Sequence, residues 1–188
     1  VENDIFANED AKDFETLKSI TKLIRNSSIR QRVVTFLDET VPQYFRKIPA
    51  SSSGKYHPAY TLGDGGLVRH TIAAVKIAYY LMSVDCASAV LGLTQEDKDH
   101  VIAAIILHDT FKRGTTDEGD IAAYEDHEIV AAEQVEKAFG ETPISNLIAA
   151  HMGQSGKQQP SNTAESIVHF ADYLASRKSI TVDVSGVL

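Results

Sequence analysis

The sequence predicts an all-α protein folded as a single-domain helical bundle. Ala, Leu and Ile recur at three- and four-residue spacing along almost the whole chain, the period of a helix with one buried face. Aromatic residues make up only 7% and Trp is absent, so small and aliphatic side chains must fill the core. A length of 188 residues suits one domain, because a chain above ~150 residues buries roughly two-thirds of its unfolded surface without disulfides or a structural metal. Any metal in such a protein is expected to serve function.

The elements follow from apolar periodicity and its breaks. Phe14, Leu17, Ile20 and Ile24 make the first apolar face. Asn26-Ser27-Ser28 breaks it, and Ile29, Val33 and Leu37 begin a second helix that Pro42 ends or bends. From Pro49 to Gly66 the chain concentrates Ser, Gly and Pro in one long irregular connection, a length of loop that is often functional. Within it, Gly63-Asp64-Gly65-Gly66 is followed by neither Lys-Ser nor Lys-Thr, so it reads as a tight turn into a helix and not as a phosphate cradle. That helix runs from Leu67 to about Ser83. The next spans Thr94 to Leu107, with Thr94 as N-cap and Glu96 and Asp97 in its first turn. A polar insert, Lys112 to Gly119, precedes a helix from Asp120 to Phe139 stopped by Gly140, and another from Pro143 to Met152 stopped by Gly153. The last helix starts at Ser161-Asn162, where Asn162 and Glu165 have capping-box spacing, and runs to about Lys178. Tyr79 and Tyr80 are expected in the core.

Composition excludes several functions. The longest strongly apolar run, Val101 to Leu107, is far below the ~20 residues of a membrane helix. A formal net charge of -8 argues against an extended duplex footprint, which needs clustered Lys and Arg. A nucleotide or short oligonucleotide is compatible with that charge where a metal supplies local positive potential. Lone Cys86 cannot form an internal bridge and no charged-then-apolar leader opens the chain, so a cytoplasmic setting is expected. The chain opens on Val1 and not on Met, as a trimmed chain would. Homo-oligomerisation stays open.

Four of the seven histidines, His70, His108, His127 and His151, fall on or at the ends of predicted core helices. His108 and Asp109 follow the apolar run directly, where a dry helix is about to end. A buried carboxylate without a partner costs several kcal/mol or takes up a proton, so Asp109 needs a cation or strong donors. Asp172 repeats the problem among Ile167, Val168, Phe170 and Leu174. One divalent metal would satisfy these groups together, since imidazole nitrogens and carboxylate oxygens suit Mn, Fe, Co, Ni, Zn and, less readily, Mg.

His70, the pair His108-Asp109 and the late Asp172 resemble the metal-binding signature of the HD-domain phosphohydrolase superfamily, over roughly Tyr56 to Lys178. Gly65-Gly66-Leu67-Val68-Arg69-His70-Thr71 is similar to its first-histidine motif, and Leu107-His108-Asp109-Thr110-Phe111-Lys112 to its His-Asp motif ending in Lys. Asp126-His127-Glu128 and Ala150-His151 are similar to the two intermediate histidines, and Ala171-Asp172 to the closing aspartate. His57-Pro58-Ala59-Tyr60 resembles HD proteins acting on RNA 3′ ends or cyclic nucleotides. The resemblance implies an HD-domain core over residues 56–178, with residues 1–48 as additional N-terminal helices in a single domain, 1–188.

For the site, the resemblance implies a metal held by His70, His108, Asp109 and Asp172. His127 and His151 would hold a second ion with Asp109 bridging, or, with one ion, contact phosphate or act as general acid. Met152 follows His151 where many two-metal relatives carry another histidine, so the number of ions is open. Asp109, Lys112 and His127 are the implied catalytic groups. Lys112, four residues past His108, is the best placed cation for a phosphoryl oxygen; Arg113 beside it is a further substrate-binding candidate, and Lys157 would clamp a second phosphate or a terminal nucleotide. The implied activity is hydrolysis of a phosphomonoester or phosphodiester of a nucleotide or short oligonucleotide by a metal-activated water. Two other functions use the same residues: a di-iron oxygenase, and a nucleotide-binding sensor without turnover. His169 is expected to pack between helices or to orient Asp172. His57 is expected to be solvated or to cover the site, and His100 to lie at the surface.

Overall fold

The computed structural model describes residues 2–83, 92–120 and 125–186; Cys86 lies outside them. Among the described residues are seven α-helices and no strand: α1 (Glu2–Ile20), α2 (Ser27–Glu39), α3 (Gly66–Ser83), α4 (Gln95–Leu107), α5 (His127–Phe139), α6 (Pro143–Ala149) and α7 (Thr163–Ala175). The protein is all-α, as the periodicity predicts, and none of these helices is long and apolar enough to cross a membrane.

Helix α4 is the axis of the bundle. Every residue from Val101 to Leu107 is buried, so its second half has no solvent face and must be surrounded. It packs against α2, α3, α6 and α7. Its first half is polar and begins with a reciprocal cap: Thr94 Oγ1 accepts from Asp97 N–H at 3.1 Å, and Asp97 Oδ2 accepts from Thr94 N–H at 2.8 Å. One turn on, buried Asp99 accepts from the backbone N–H groups of Arg25 (3.0 Å) and Asn26 (2.7 Å) and from the Gln95 amide (2.9 Å). Asn26 in turn caps α2, its side chain accepting from Ser28 N–H and Ile29 N–H. The sequence break between the first two helices is thus also the point where they are tied to α4.

Phe14, Leu17, Ile20 and Ile24 are all buried, but α1 ends at Ile20, a 3₁₀ turn spans Thr21–Leu23, and Ile24 is extended. Helix α2 stops at Glu39, ahead of Pro42, which leads into a 3₁₀ turn at Gln43–Arg46.

The long connection over 49–66 is pinned to the start of α3. Gly65 N–H donates to Lys47 C=O, Leu67 N–H to Ile48 C=O and Ala50 N–H to Thr61 C=O. A Cβ on Gly66 would stand 2.1 Å from the Thr61 oxygen, which is why the tight turn needs glycine there. Arg69 fastens the same loop, donating to the carbonyls of Tyr60 (2.6 Å), Leu62 (3.1 Å) and Asp64 (2.7 Å) and to Asp13 of α1 (2.7 Å).

Five expectations need correction. Helix α5 starts at His127 and not at Asp120, because Gly119 and Asp120 are irregular and Asp126 takes a left-handed conformation, φ 75°, that breaks helical continuity; residues 121–124 lie outside the described ones. Helix α6 ends at Ala149 and α7 at Ala175, each about one turn earlier than the apolar pattern suggests. The reciprocal cap at α7 is offset: Asn162 accepts from Glu165 N–H, but Glu165 Oε2 accepts from Ser161 N–H and Oγ–H. Tyr79 and Tyr80 are 36% and 60% exposed, on the face of α3 turned away from the core.

Asp99→Ala strips a charged acceptor from two backbone donors at once. It is expected to cost about 2 to 3 kcal/mol in urea unfolding, the scale of hydrogen bonds to a charged group, with Asp99→Asn losing less.

Candidate metal centre

The site is assembled where α4 ends. His108 closes that helix and Asp109 opens the turn after it, so both come out of the driest part of the core. Thr110 Oγ–H bonds back to Leu107 C=O (2.7 Å), which tightens the turn. Tyr44, not singled out in the sequence, steadies the next residues by donating to Gly114 C=O (2.8 Å) and accepting from Arg113 N–H (2.9 Å). Burial raises its phenol to about 12, so it acts here as a neutral hydroxyl.

Asp109 is the hub. Its side chain is 1% exposed, and its two oxygens face different partners. Oδ2 lies 2.5 Å from Lys112 Nζ, 3.5 Å from His108 Nε2 and 3.9 Å from His70 Nε2. Oδ1 lies 3.1 Å from His127 Nε2 and 3.8 Å from His151 Nε2. Asp172 of α7 closes the ring from the other side, its Oδ1 at 2.9 Å from His70 Nε2 and 3.5 Å from His108 Nε2. Neighbouring imidazoles touch in sequence, with centroids 5.6 Å apart for His70 and His108, 4.9 Å for His108 and His151, and 5.2 Å for His127 and His151. All six residues expected to hold metal are therefore brought together.

Two rings are oriented by the same device. A carbonyl only accepts, so Nδ1 of His108, 2.7 Å from Ile105 C=O, and Nδ1 of His151, 2.8 Å from Ile148 C=O, must carry the proton. Nε2 of each is left buried without a hydrogen bond among the described residues, the nearest carboxylate oxygens standing 3.5 to 3.8 Å away. Orphaned imidazole nitrogens beside ionised carboxylates are a donor set that fits a divalent ion. Three overlapping groups meet that geometry: His70, His108 and Asp109; His108, His151 and Asp172; and Asp109, His127 and His151.

The electrostatics carry the same signature. Burial works to raise the Asp109 carboxyl, but Lys112, His108 and His127 outweigh it and hold the group well below the usual carboxylate range. Burial works likewise on Asp172, and the imidazoles of His108 and His70 outweigh it. His108 is raised because Asp109 and Asp172 overcome its burial, whereas His151, buried and facing His108, is pulled down to about 3. The carboxylates thus stay ionised in a dry place by drawing positive charge toward themselves.

The remaining expected residues separate. Lys112 is in the cluster, Arg113 adjoins it through its backbone contact with Tyr44, and Lys157 pairs with Asp126 at the rim. Glu128, quoted in sequence only as a neighbour of His127, is buried; it accepts from Lys157 N–H (3.2 Å) and stands 3.8 Å from His127 Nδ1. His57 packs with its ring 6.0 Å from that of His70 and is pulled down to about 4 by burial and by His70, so the loop covers the site on that side. His169 does not reach for Asp172: its Nδ1–H donates to His151 C=O (2.7 Å), tying α7 to the turn after α6. Gly153 makes room for that ring, since a Cβ there would stand 2.4 Å from it, at a φ of 58° that disfavours side chains.

Gly153→Ala is expected to destabilise the protein by about 1 to 3 kcal/mol through overpacking against His169. The double variant with His169→Ala should lose less than the sum of the two single variants, measured by urea unfolding as a double-mutant cycle.

Comparisons with known proteins agree with this geometry. A dihydroneopterin 2′,3′-cyclic phosphate phosphodiesterase of Methanocaldococcus jannaschii is 28% identical over 180 residues, which cover 87% of this chain and 69% of that protein. No solved structure matches. A model of the HD domain matches residues 67–177, the stretch from the start of α3 to just past α7 that holds every residue of the cluster. By that match over more than half of its length, the chain belongs to the HD domain family.

Proposed function

We propose that this chain is a metal-dependent hydrolase of a phosphoester bond in a nucleotide-like substrate, with small cyclic phosphodiesters as its preferred class. The observation that carries this reading is the convergence of four imidazoles on the two oxygens of one buried carboxylate, with an ammonium group alongside. The relative's phosphodiesterase activity on a 2′,3′-cyclic phosphate supports the choice of a diester.

In this reading His70, His108, Asp109 and Asp172 would hold one ion, and His127 and His151, with Asp109 again, would hold a second. The separate orientation of the two Asp109 oxygens favours that sharing. A nitrogen-rich donor set favours Mn, Fe, Co, Ni or Zn over Mg, which prefers oxygen ligands. When bound, a divalent ion supplies a water acidic enough to ionise near neutral pH and offsets charge on the phosphoryl oxygens.

The chain's own groups do the rest. Hydrolysis forms one bond from phosphorus to the water oxygen and breaks one to the leaving oxygen, which takes up a proton. Lys112, anchored at Asp109 Oδ2, stands where a fixed positive charge can meet a phosphoryl oxygen. His127 lines a cleft of about 370 Å³ shared with Asp126, Glu128 and Lys157. With one ion bound it is the proton donor to the leaving oxygen; with two it is a ligand, and metal content of His127→Ala separates the roles.

Mn²⁺, Co²⁺ or Fe²⁺ is expected to raise the melting temperature by several degrees, reversed by a chelator and lost in His108→Ala, because binding to the folded state alone stabilises it. The loaded protein is expected to hydrolyse bis(p-nitrophenyl) phosphate and nucleoside 2′,3′-cyclic phosphates, equally well without oxygen, with His108→Ala at least ~100-fold slower. If no metal gives turnover and His108→Ala changes nothing, the reading is lost. Lys112→Ala is expected to lower kcat by roughly 10²- to 10³-fold with metal content retained, and Lys112→Arg to recover part of that loss.

A further inference from the structure

Helix α7 carries three faces. Ile167, Val168, Ala171 and Ala175 are buried in the core, and Asp172 projects to the metal centre. On the third face Phe170 and Tyr173 are 54% and 45% exposed, two large aromatic rings one turn apart on a helix that has every other apolar residue to choose from. Aromatic surface left in water is costly unless something covers it.

These rings do not sit on an open surface. They line a cleft of about 600 Å³ that also takes in Asp172, so the cleft reaches the metal centre through a carboxylate that is itself 17% exposed. That volume lies in the range of small-molecule sites. The rings are also held in place. The Arg177 guanidinium lies over the Tyr173 ring, 3.7 Å from its centroid. The His169 ring backs both, at 5.4 Å from Phe170 and 6.3 Å from Tyr173, and is itself fixed by its bond to His151 C=O. Polar groups meet the apolar ones: Gln154 and Gln159 line the same cleft, and Arg177 Nε is buried without a hydrogen-bond partner among the described residues.

We infer that the cleft beside Asp172 seats the planar nitrogen heterocycle of the substrate, stacked on Phe170 and Tyr173 with its edge toward Gln154 and Gln159, so that these two rings determine which phosphoesters are cleaved. The inference rests on the phosphohydrolase reading and deepens it. Stacking is tolerant of the exact ring, and the amides, each with donors and an acceptor, supply the discrimination.

Two measurements test this on the metal-loaded protein. Inosine, which has a purine and no phosphoester, is expected to show saturation transfer at its ring protons in NMR, lost in the Phe170→Ala/Tyr173→Ala variant and regained in Phe170→Tyr/Tyr173→Phe. The ratio of kcat/KM for guanosine 2′,3′-cyclic phosphate to that for glycerol 1,2-cyclic phosphate, which lacks the heterocycle, is expected to fall roughly tenfold or more in the alanine variant, through KM. Equal losses on both esters, undiminished saturation transfer in the alanine variant, or none in the unaltered protein would overturn the inference. Inosine binding that depends on the two rings, in a protein that hydrolyses neither ester, would uphold it while ending the phosphohydrolase reading.

Discussion

A carboxylate at the dry end of an apolar helix is the constraint on which the rest of this structure depends. Asp109 follows seven consecutive buried residues of α4 and has almost no contact with solvent. An isolated ionised carboxylate in such a place would cost far more than a domain can spare, or would be protonated. Here positive and hydrogen-bonding groups from α3, the end of α4 and the turn after it, α5 and the turn after α6 are drawn around it, and Asp172 of α7 shares two of the same imidazoles. Elements distant in sequence are thereby held in one arrangement, and neutralising one charge and defining a bundle become the same problem.

The scaffold meets that demand with short-range devices. The rings of His108 and His151 are oriented by carbonyls three residues back, at helix ends where such carbonyls are available. That orientation therefore needs no distant partner, and the direction of each Nε2 is preset by the local chain. Farther away, Asp99 docks the α1–α2 junction on the first half of α4, and Arg69 locks the 49–66 loop to α1 and to the helix that carries His70. The N-terminal helices thus contribute to the site by fixing the loop that covers it, though none of their residues enters the cluster.

Much of this was legible in the sequence, and the reasons are local. The caps at Thr94 and Asn162 and the glycine turn before α3 are short-range chemistry that neighbouring letters reveal. Asp109 and Asp172 are legible because a carboxylate inside an apolar period is an anomaly that asks for a partner, and the four imidazoles join them through the order of motifs that resembles the HD family. The start of α5 was not, because the apolar period continues through a left-handed Asp126 that nothing in the pattern marks. The exposure of Tyr79 and Tyr80 is not legible there, because periodicity identifies an apolar stripe without saying where it stops. Tyr44, Glu128 and Arg69 act through contacts with residues 29 to 70 positions away or with backbone carbonyls, which spacing does not encode. In the sequence Phe170 reads only as part of the apolar setting of Asp172, since its exposure appears only in three dimensions.

The triple use of α7 has an evolutionary consequence. Ligand, core and aromatic faces lie at different angles around one helix, so side chains on the aromatic face can be exchanged without rotating the aspartate out of register. With the aromatic face as the proposed seat of the substrate, such a layout would uncouple selectivity from reactivity: descendants of one ancestral protein could drift to new small molecules by altering two or three outward positions, while an insertion or deletion of a single residue in the same helix would turn the faces on either side of it by about 100° relative to one another.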